Sequence, residues 1–198
     1  MLLSEILKGT RIILGSQSPR RKELLASLDL DFEVLVREID EYVPASVSSE
    51  NAAEYIALEK IKAFPVGEFG EDVVITADTV VVDRQDCVLG KPKNIEEART
   101  VLTNLSGAIH WVYTGVAIAY EGRISSFTAR TVVHFKALDL EEINYYLDKY
   151  QPYDKAGAYG IQEWIGRIGV DAIEGSFENV VGLPTSRLYE ELKNMLIK

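Results

Sequence analysis

The chain has 198 residues, of which 47% are hydrophobic and 26% charged, a composition typical of a folded protein large enough to bury a core. Its formal net charge of −10 argues against general binding to nucleic acid or to an anionic membrane, because such binding needs a basic face. The single cysteine, the lack of a membrane-length apolar run and the lack of a signal-peptide start predict a cytoplasmic protein without internal disulfides.

The predicted elements alternate between strands and helices. In chain order they are a strand at 11–14, a helix at 19–28, a strand at 32–36, a helix at 50–64 capped by Ser48 or Ser49, a β-rich run at 73–82, a turn at 83–86 with a short strand to 89, a helix at 95–105 capped by Asn94 with Glu97, a strand at 109–120, a strand at 128–138, a helix capped by Asp139 with Glu142 that stops before Pro152, an irregular glycine-rich stretch at 153–183, and a final helix capped by Thr185 that runs to Met195. This order predicts the α/β class. The two strands within 109–138 are joined by a short turn, so we expect a mixed sheet.

The sequence SQSPRR follows an apolar strand and opens a helix. Ser18 is a favourable N-cap, and Pro19 occupies the first helical position, where its missing N–H costs nothing. The hydroxyl of Ser16 and the guanidinium groups of Arg20 and Arg21 would then gather at the positive end of a helix, which suits phosphate. The alternative is a capped surface helix with two solvated arginines, and the pattern favours neither.

One carboxylate, Asp78, interrupts the β-rich run. A buried carboxylate needs a cation, a metal or a raised pKa, so Asp78 could bind a metal or activate water. The alternative is a turn at Asp78 and Thr79 between two strands, with the carboxylate in solvent. Taken alone, the residues favour the turn, because turn aspartates are frequent.

Further charged groups are candidates for the same chemistry. Lys60 lies on an apolar helix face, where its ammonium either extends to water or reaches a partner. Lys91 lies in a loop that Pro92 stiffens, although an exposed lysine is the expected state there. Asp40 and Glu41 could supply a second carboxylate for a divalent ion, but adjacent acids in a loop are more often solvated.

Gln162 ends a stretch of small residues that allows close approach of the backbone to a ligand. Its amide can both donate and accept, as reading the edge of a base requires. The alternative is a loose connector. The only two histidines, His110 and His134, fall inside predicted strands, so a histidine-ligated zinc site is not expected.

Together these motifs resemble the Maf family of nucleoside triphosphate pyrophosphatases, from Leu14 to Pro184. The motifs that carry the resemblance are SxSPRR at 16–21, DE at 40–41, AxxK at 57–60, ADTV at 77–80, GKP at 90–92, LSG at 105–107, TGV at 114–116, GAYxIQ at 157–162 and NVVGLP at 179–184. One departure is Glu163, where the family pattern has a small residue.

The resemblance implies hydrolysis of a nucleoside triphosphate between its α and β phosphates, with Mg²⁺ or Mn²⁺ as the metal. It implies a single domain over residues 1–198: a mixed twisted sheet flanked by helices, in an elongated, two-lobed architecture with a central cleft. The expected partner is the nucleotide substrate, with no nucleic acid and no membrane, and a homodimer is compatible with the resemblance.

By position, the resemblance implies that Asp78 is the catalytic base and a metal ligand, with Glu41 as the second acid. It places Lys60, Lys91 and Arg21 around the phosphates. These cations and the metal would neutralise the triphosphate and stabilise the leaving pyrophosphate.

The resemblance also implies which residues set substrate choice. Ser16 matches a polar residue expected near the phosphates. Arg20, Thr79 and Gln162 match positions that distinguish subfamilies, and Thr79 matches the branch that acts on dTTP and UTP. The sister branch, which acts on 7-methyl-GTP, carries glutamine at that position. Two alternatives remain: a pyrophosphatase of that sister type, and a nucleotide-binding regulator of cell division with little turnover.

Overall fold

The computed structural model describes residues 2–197. Within this range it contains seven strands, β1 (Ile12–Leu14), β2 (Glu33–Val34), β3 (Val73–Val82), β4 (Val88–Leu89), β5 (Ile109–Tyr120), β6 (Arg123–Phe135) and β7 (Val170–Glu174). The helices are α1 (Leu3–Ile6), α2 (Pro19–Ala26), α3 (Ala52–Lys62), α4 (Val66–Phe69), α5 (Ile95–Leu105), α6 (Leu140–Tyr150), α7 (Trp164–Gly169), α8 (Phe177–Val181) and α9 (Thr185–Leu196), with 3-10 turns at Ser49–Asn51 and Ala156–Ala158. No helix in this range has the length and apolar character needed to cross a bilayer.

The strands form one mixed sheet in the order β2-β1-β3-β5-β6-β7, with β4 beside β3. Strand β1 pairs in parallel with β2 and with β3, where Ile13 lies opposite Glu33 and Val74. Strand β4 is antiparallel to β3, and β7 is antiparallel to β6. The predicted α/β class with a mixed sheet is therefore confirmed.

The chain divides into two compact units, each with its own hydrophobic core. The first comprises the residues up to Asp78, Thr114–Ala129 and the residues from Gly182 onward. The second comprises Thr79–Tyr113 and Arg130–Val181.

In the first unit, the two faces of β3 enter different clusters because side chains alternate along a strand. Ile75 and Ala77 pack with Leu25 of α2 and residues of α9. Val74 packs with Ile61 of α3 on the other face. The first unit is therefore layered, with helices on both faces of its part of the sheet.

In the second unit, one cluster joins the apolar faces of α5 and α6 to the sheet. Its buried members include Leu102, Leu105, Ile143, Leu147 and Val133. The predicted caps of these helices are present: Asn94 accepts from the N–H of Glu97 at 2.8 Å, and Asp139 and Glu142 form a reciprocal capping box. The Glu97 carboxylate, however, accepts from the N–H of Lys93, not of Asn94.

Several predicted boundaries are wrong. Strand β6 begins at Arg123, not at 128, because Glu121 and Gly122 with positive φ turn the chain directly into the next strand. The stretch 153–183 contains α7, β7 and α8 instead of being irregular, and α1 and α4 were missed; each is too short for a periodic signal.

Helix ends also differ from the prediction. Helix α2 stops at Ala26 rather than 28, and a 3-10 turn at Ser49–Asn51 precedes α3, which ends at Lys62. Thr185 is the first residue of α9, and Pro184, not Thr185, is at its N-cap.

Candidate functional site

The start of α2 is joined to β3 by the Arg21 side chain. As predicted, Ser18 caps α2, accepting from the N–H of Arg21 at 3.4 Å. The Arg21 guanidinium is buried and donates to Ser16 Oγ (3.2 Å), to the Ala77 carbonyl (2.9 Å) and to the Gly182 carbonyl (2.9 Å). The alternative of two solvated arginines is therefore wrong for Arg21.

A buried hydrogen bond joins α3 to β3. Thr76 Oγ1 donates to the Ala57 carbonyl at 2.7 Å. Asp78 is two residues beyond Thr76 on the same strand face, and Lys60 is one helical turn beyond Ala57. This register brings Lys60 to Asp78.

The Lys60 ammonium lies between two carboxylates. Its Nζ atom is 2.8 Å from Asp78 Oδ1 and 2.8 Å from Glu41 Oε1. The side chains of Lys60 and Asp78 are 15% and 17% exposed, whereas that of Glu41 is 51% exposed. Lys60 therefore has partners instead of extending to water, and Asp78 lies within a continuous strand, so the predicted alternative of a turn is wrong.

Burial and neighbouring charges together lower the pKa of the Arg21 guanidinium. Burial lowers the pKa of the Arg21 guanidinium, while the nearby carboxylate of Asp78 raises it; Arg20 adds a smaller lowering effect and Glu41 a smaller raising effect. Arginine stays protonated in proteins, so Arg21 supplies a fixed positive charge beside Asp78. Arg20, which precedes Arg21 in α2, is partly buried.

The donor set suits a hard divalent cation that substrate helps to hold. Asp78 and Glu41 both contact one ammonium, so their carboxylates lie close together and reach solvent. Within residues 2–197, no cluster of three or more His, Cys, Asp or Glu side chains could hold a metal by itself. Mg²⁺ typically takes one or two carboxylates and completes its shell with phosphates and water, so the residues present fit it.

The remaining predicted site residues belong to the second unit. Lys91 is exposed in the loop after β4, and this loop is tied to the 3-10 turn Ala156–Ala158 by a bond from Gly157 N–H to the Gly90 carbonyl at 3.3 Å. Thr79 and Gln162 are partly buried. That these residues act on the same nucleotide as Asp78 stays a prediction.

A polar network that the sequence analysis did not find surrounds Glu163. Its carboxylate accepts from the Tyr146 hydroxyl and lies 3.2 Å from Lys155 Nζ, which also contacts Asp154 at 2.8 Å. Burial, and then the bond to Glu163, raises the pKa of the Tyr146 phenol, which stays protonated as the donor. Asp154 beside Lys155 was a signal in the sequence, but Tyr146 reads as an ordinary residue of an apolar helix face.

The histidines serve structural roles. His134 pairs with Glu174 across β6 and β7 at 2.8 Å. His110 is buried, its Nε2 lies 2.7 Å from the Tyr159 hydroxyl, and its Nδ1 has no hydrogen-bond partner among the described residues. Cys87 is exposed in the turn after β3.

Comparison with known proteins adds relatives of nearly equal length. The family described as Maf-like protein matches residues 11–195. A dTTP/UTP pyrophosphatase of Parabacteroides distasonis is 52% identical over 191 residues, covering 96% of this chain and 98% of that protein. Proteins of the same name from Porphyromonas gingivalis and Bacteroides thetaiotaomicron are each 49% identical, over 95% and 93% of this chain and 96% of each relative.

Solved structures offer only a weak likeness. A nucleoside-triphosphatase / dITP/XTP pyrophosphatase from Mycobacterium abscessus is 16% identical, with a TM-score of 0.42 over 65% of this chain and 76% of that chain.

Proposed function

This chain belongs to the Maf-like protein family, and on that premise we propose that it hydrolyses dTTP and UTP to the monophosphate and pyrophosphate. The observation that carries the proposal is the Lys60 ammonium, held 2.8 Å from both Asp78 and Glu41. A cation between two carboxylates, next to a buried guanidinium, suits a polyphosphate held with a metal ion.

Asp78 is the proposed catalytic base. Its carboxylate orients a water molecule and accepts a proton as the water oxygen bonds to the α phosphorus of the nucleotide. The bond from that phosphorus to the bridging oxygen breaks, and pyrophosphate leaves. Lys60 donates to Asp78, so it holds the carboxylate in one orientation for this step.

Positive side chains stabilise the negative charge that develops on the phosphates during the reaction. Arg21 is fixed by three acceptors, so little reorganisation accompanies the reaction at this residue. Lys91 is an exposed ammonium on a stiffened loop. Its positive charge would stabilise the negative charge on the leaving pyrophosphate. Ser16, just before α2, is proposed to contact the phosphates, and Arg20, in the first turn of α2, is proposed to contribute to substrate choice.

Asp78 and Glu41 would hold a divalent metal, Mg²⁺ or Mn²⁺. When bound, the metal neutralises phosphate oxygens and lowers the pKa of water. Thr79 and Gln162 would select the base, with the Gln162 amide hydrogen-bonded to the edge of the pyrimidine. Modified pyrimidine triphosphates are further candidate substrates of the same site.

A nucleotide panel with product identification tests the proposal. The protein is incubated with dTTP, UTP, CTP, ATP, GTP and 7-methyl-GTP, with Mg²⁺ or Mn²⁺ and with chelator. We expect metal-dependent release of monophosphate and pyrophosphate, fastest from dTTP and UTP. Diphosphate with free phosphate would contradict the proposed bond, and equal rates for all bases would contradict the proposed selectivity.

The same panel separates the alternatives. A 7-methyl-GTP pyrophosphatase would prefer that nucleotide, whereas a regulator with little turnover would bind triphosphates without releasing pyrophosphate. The names of the relatives favour the pyrimidine branch.

We also propose a cytoplasmic location and a homodimer, the latter to be tested by light scattering.

A further inference from the structure

The turn that carries Gln162 is held at both ends by one buried phenol. The N–H of Glu163 donates to the Gly160 carbonyl at 3.0 Å, which closes a turn with Ile161 and Gln162 at its centre. At one end, the N–H of Gly160 donates to the Tyr146 hydroxyl at 3.0 Å. At the other end, the same hydroxyl donates to the Glu163 carboxylate.

The Glu163 carboxylate is paired with a cation inside the second unit. Tyr146 lies on α6 and is fully buried. The Glu163 side chain is 20% exposed, and it is paired with Lys155, whose side chain is 11% exposed. The Glu163 carboxylate has both a hydrogen-bond donor, Tyr146, and a cation, Lys155. These contacts favour a single position of the carboxylate against the turn.

Two neighbouring groups pack closely against the turn. A Cβ atom on Gly160 would lie 2.7 Å from Cδ of Glu163, so the carboxylate sits directly on the turn. A Cβ atom on Gly166, in α7, would lie 1.9 Å from the Ile161 carbonyl oxygen. The residues on either side of Gln162 are therefore held by Tyr146 of α6, and Ile161 is closely approached by Gly166 of α7.

We infer that Tyr146 and Glu163 are positioning residues for base selection, acting through the turn that presents Gln162. The inference rests on the proposed function, in which the Gln162 amide reads the pyrimidine. Neither side chain needs to touch the substrate. A fixed turn places the amide where one base edge can pair with it, and a loosened turn loses that discrimination.

The test compares UTP with ATP, which share ribose and triphosphate and differ only in the base. The variants are Tyr146→Phe, which removes the hydroxyl, and Glu163→Gln, which removes the charge. Tyr145→Phe is the matched control: Tyr145 neighbours Tyr146 on the same helix, is exposed, and its hydroxyl accepts from Lys149 at 2.8 Å. Both kcat and KM are measured, with thermal unfolding as a check on folding.

We expect each variant to lower the ratio of kcat/KM for UTP to kcat/KM for ATP by roughly tenfold, mainly through KM for UTP, because a misplaced group loses its partner. The control keeps the wild-type ratio. An unchanged ratio, or an equal loss for both nucleotides, overturns the inference. If Tyr146→Phe does not fold, Glu163→Gln decides by the same criterion. If the wild type itself releases no pyrophosphate or does not prefer UTP, the proposed function fails, and the inference fails with it.

Discussion

The charges of the candidate site come from single side chains, and the proposed role of Asp78 as the base can be tested directly. Asp78→Asn keeps the size and an acceptor for Lys60 but cannot take the proton from water. We expect kcat to fall by roughly a hundred- to a thousandfold under saturating metal. Asp72→Asn is the control, because Asp72 precedes the same strand, is similarly covered and pairs only with surface-exposed Arg11 among the contacts described. A near-normal kcat for Asp78→Asn would reject its role as base.

The variants Arg21→Ala and Lys91→Ala should both lower turnover, but they should differ in the stability of the folded protein. Lys91→Ala removes an exposed ammonium, so we expect kcat/KM to fall by roughly a hundredfold with Tm unchanged. Arg21→Ala also removes the donor to the carbonyls of Ala77 and Gly182, and each buried group left unpaired costs about 1–3 kcal/mol. Steady-state kinetics and thermal unfolding separate the two effects. Wild-type kinetics in both variants would move the phosphate site elsewhere.

His110 makes the stability of the protein depend on pH. Burial, with a smaller effect of His134, lowers the pKa of His110 to about 4. The unfolded chain therefore binds more protons than the native protein as the pH falls below about 6.5, so native stability decreases from there toward pH 4. Compared with His110→Gln, the wild type should lose about 2–3 kcal/mol more of its free energy of unfolding between pH 7.5 and pH 4.5. Urea unfolding at both pH values measures the difference, and equal losses would contradict it.

At the scale of elements, the placement of α3 depends on a close approach to β5. A Cβ atom on Gly115 would lie 2.1 Å from the backbone nitrogen of Glu54 and 2.3 Å from the Ala53 carbonyl carbon. The helix starts directly against the strand, so any side chain at Gly115 pushes α3, and Lys60 with it, away from β3. The Glu54 carboxylate adds hydrogen bonds from the hydroxyls of Ser126 and Thr128 on β6.

Gly115→Ala should therefore lower both stability and activity. We expect a loss of about 1–3 kcal/mol in the free energy of unfolding, as overpacking commonly gives, with a lower kcat. Gly67→Ala is the control, because Gly67 lies in α4 and a Cβ atom there meets nothing within 4 Å. Denaturant unfolding and turnover of UTP measure both quantities. A stable, active Gly115→Ala would show that α3 can shift without consequence.

At the scale of the whole molecule, net charge sets which polyanions are bound. With a net charge of −10, the protein should bind a triphosphate where Arg21 and Lys60 are gathered, yet repel an extended polyphosphate backbone. We expect no electrophoretic shift of single- or double-stranded DNA at micromolar protein and physiological salt. Binding that weakens steeply as salt is raised would contradict this expectation and point to a basic face.

Local patterns predicted much of the secondary structure because the interactions concerned are local. The caps at Ser18 and Asp139 each involve a contact with the residue three positions later, which the sequence shows directly. Pro19 likewise marks the first residue of α2. The bounds of β3 and β5 were predicted correctly because β-branched and apolar residues fill both strands. The short elements between 153 and 183 depend on tertiary packing, so no local pattern announced them.

The sequence by itself determined the α/β class, the acidic net charge and, through motifs in order, the family. Only the tertiary structure decided between the two states of Asp78 and of Lys60, because their hydrogen bond joins a helix to a strand across 18 residues of the chain. It likewise decided that one phenol on α6 holds both ends of the turn at Gln162. Residue types specify which chemistry is available, but long-range packing sets which groups meet.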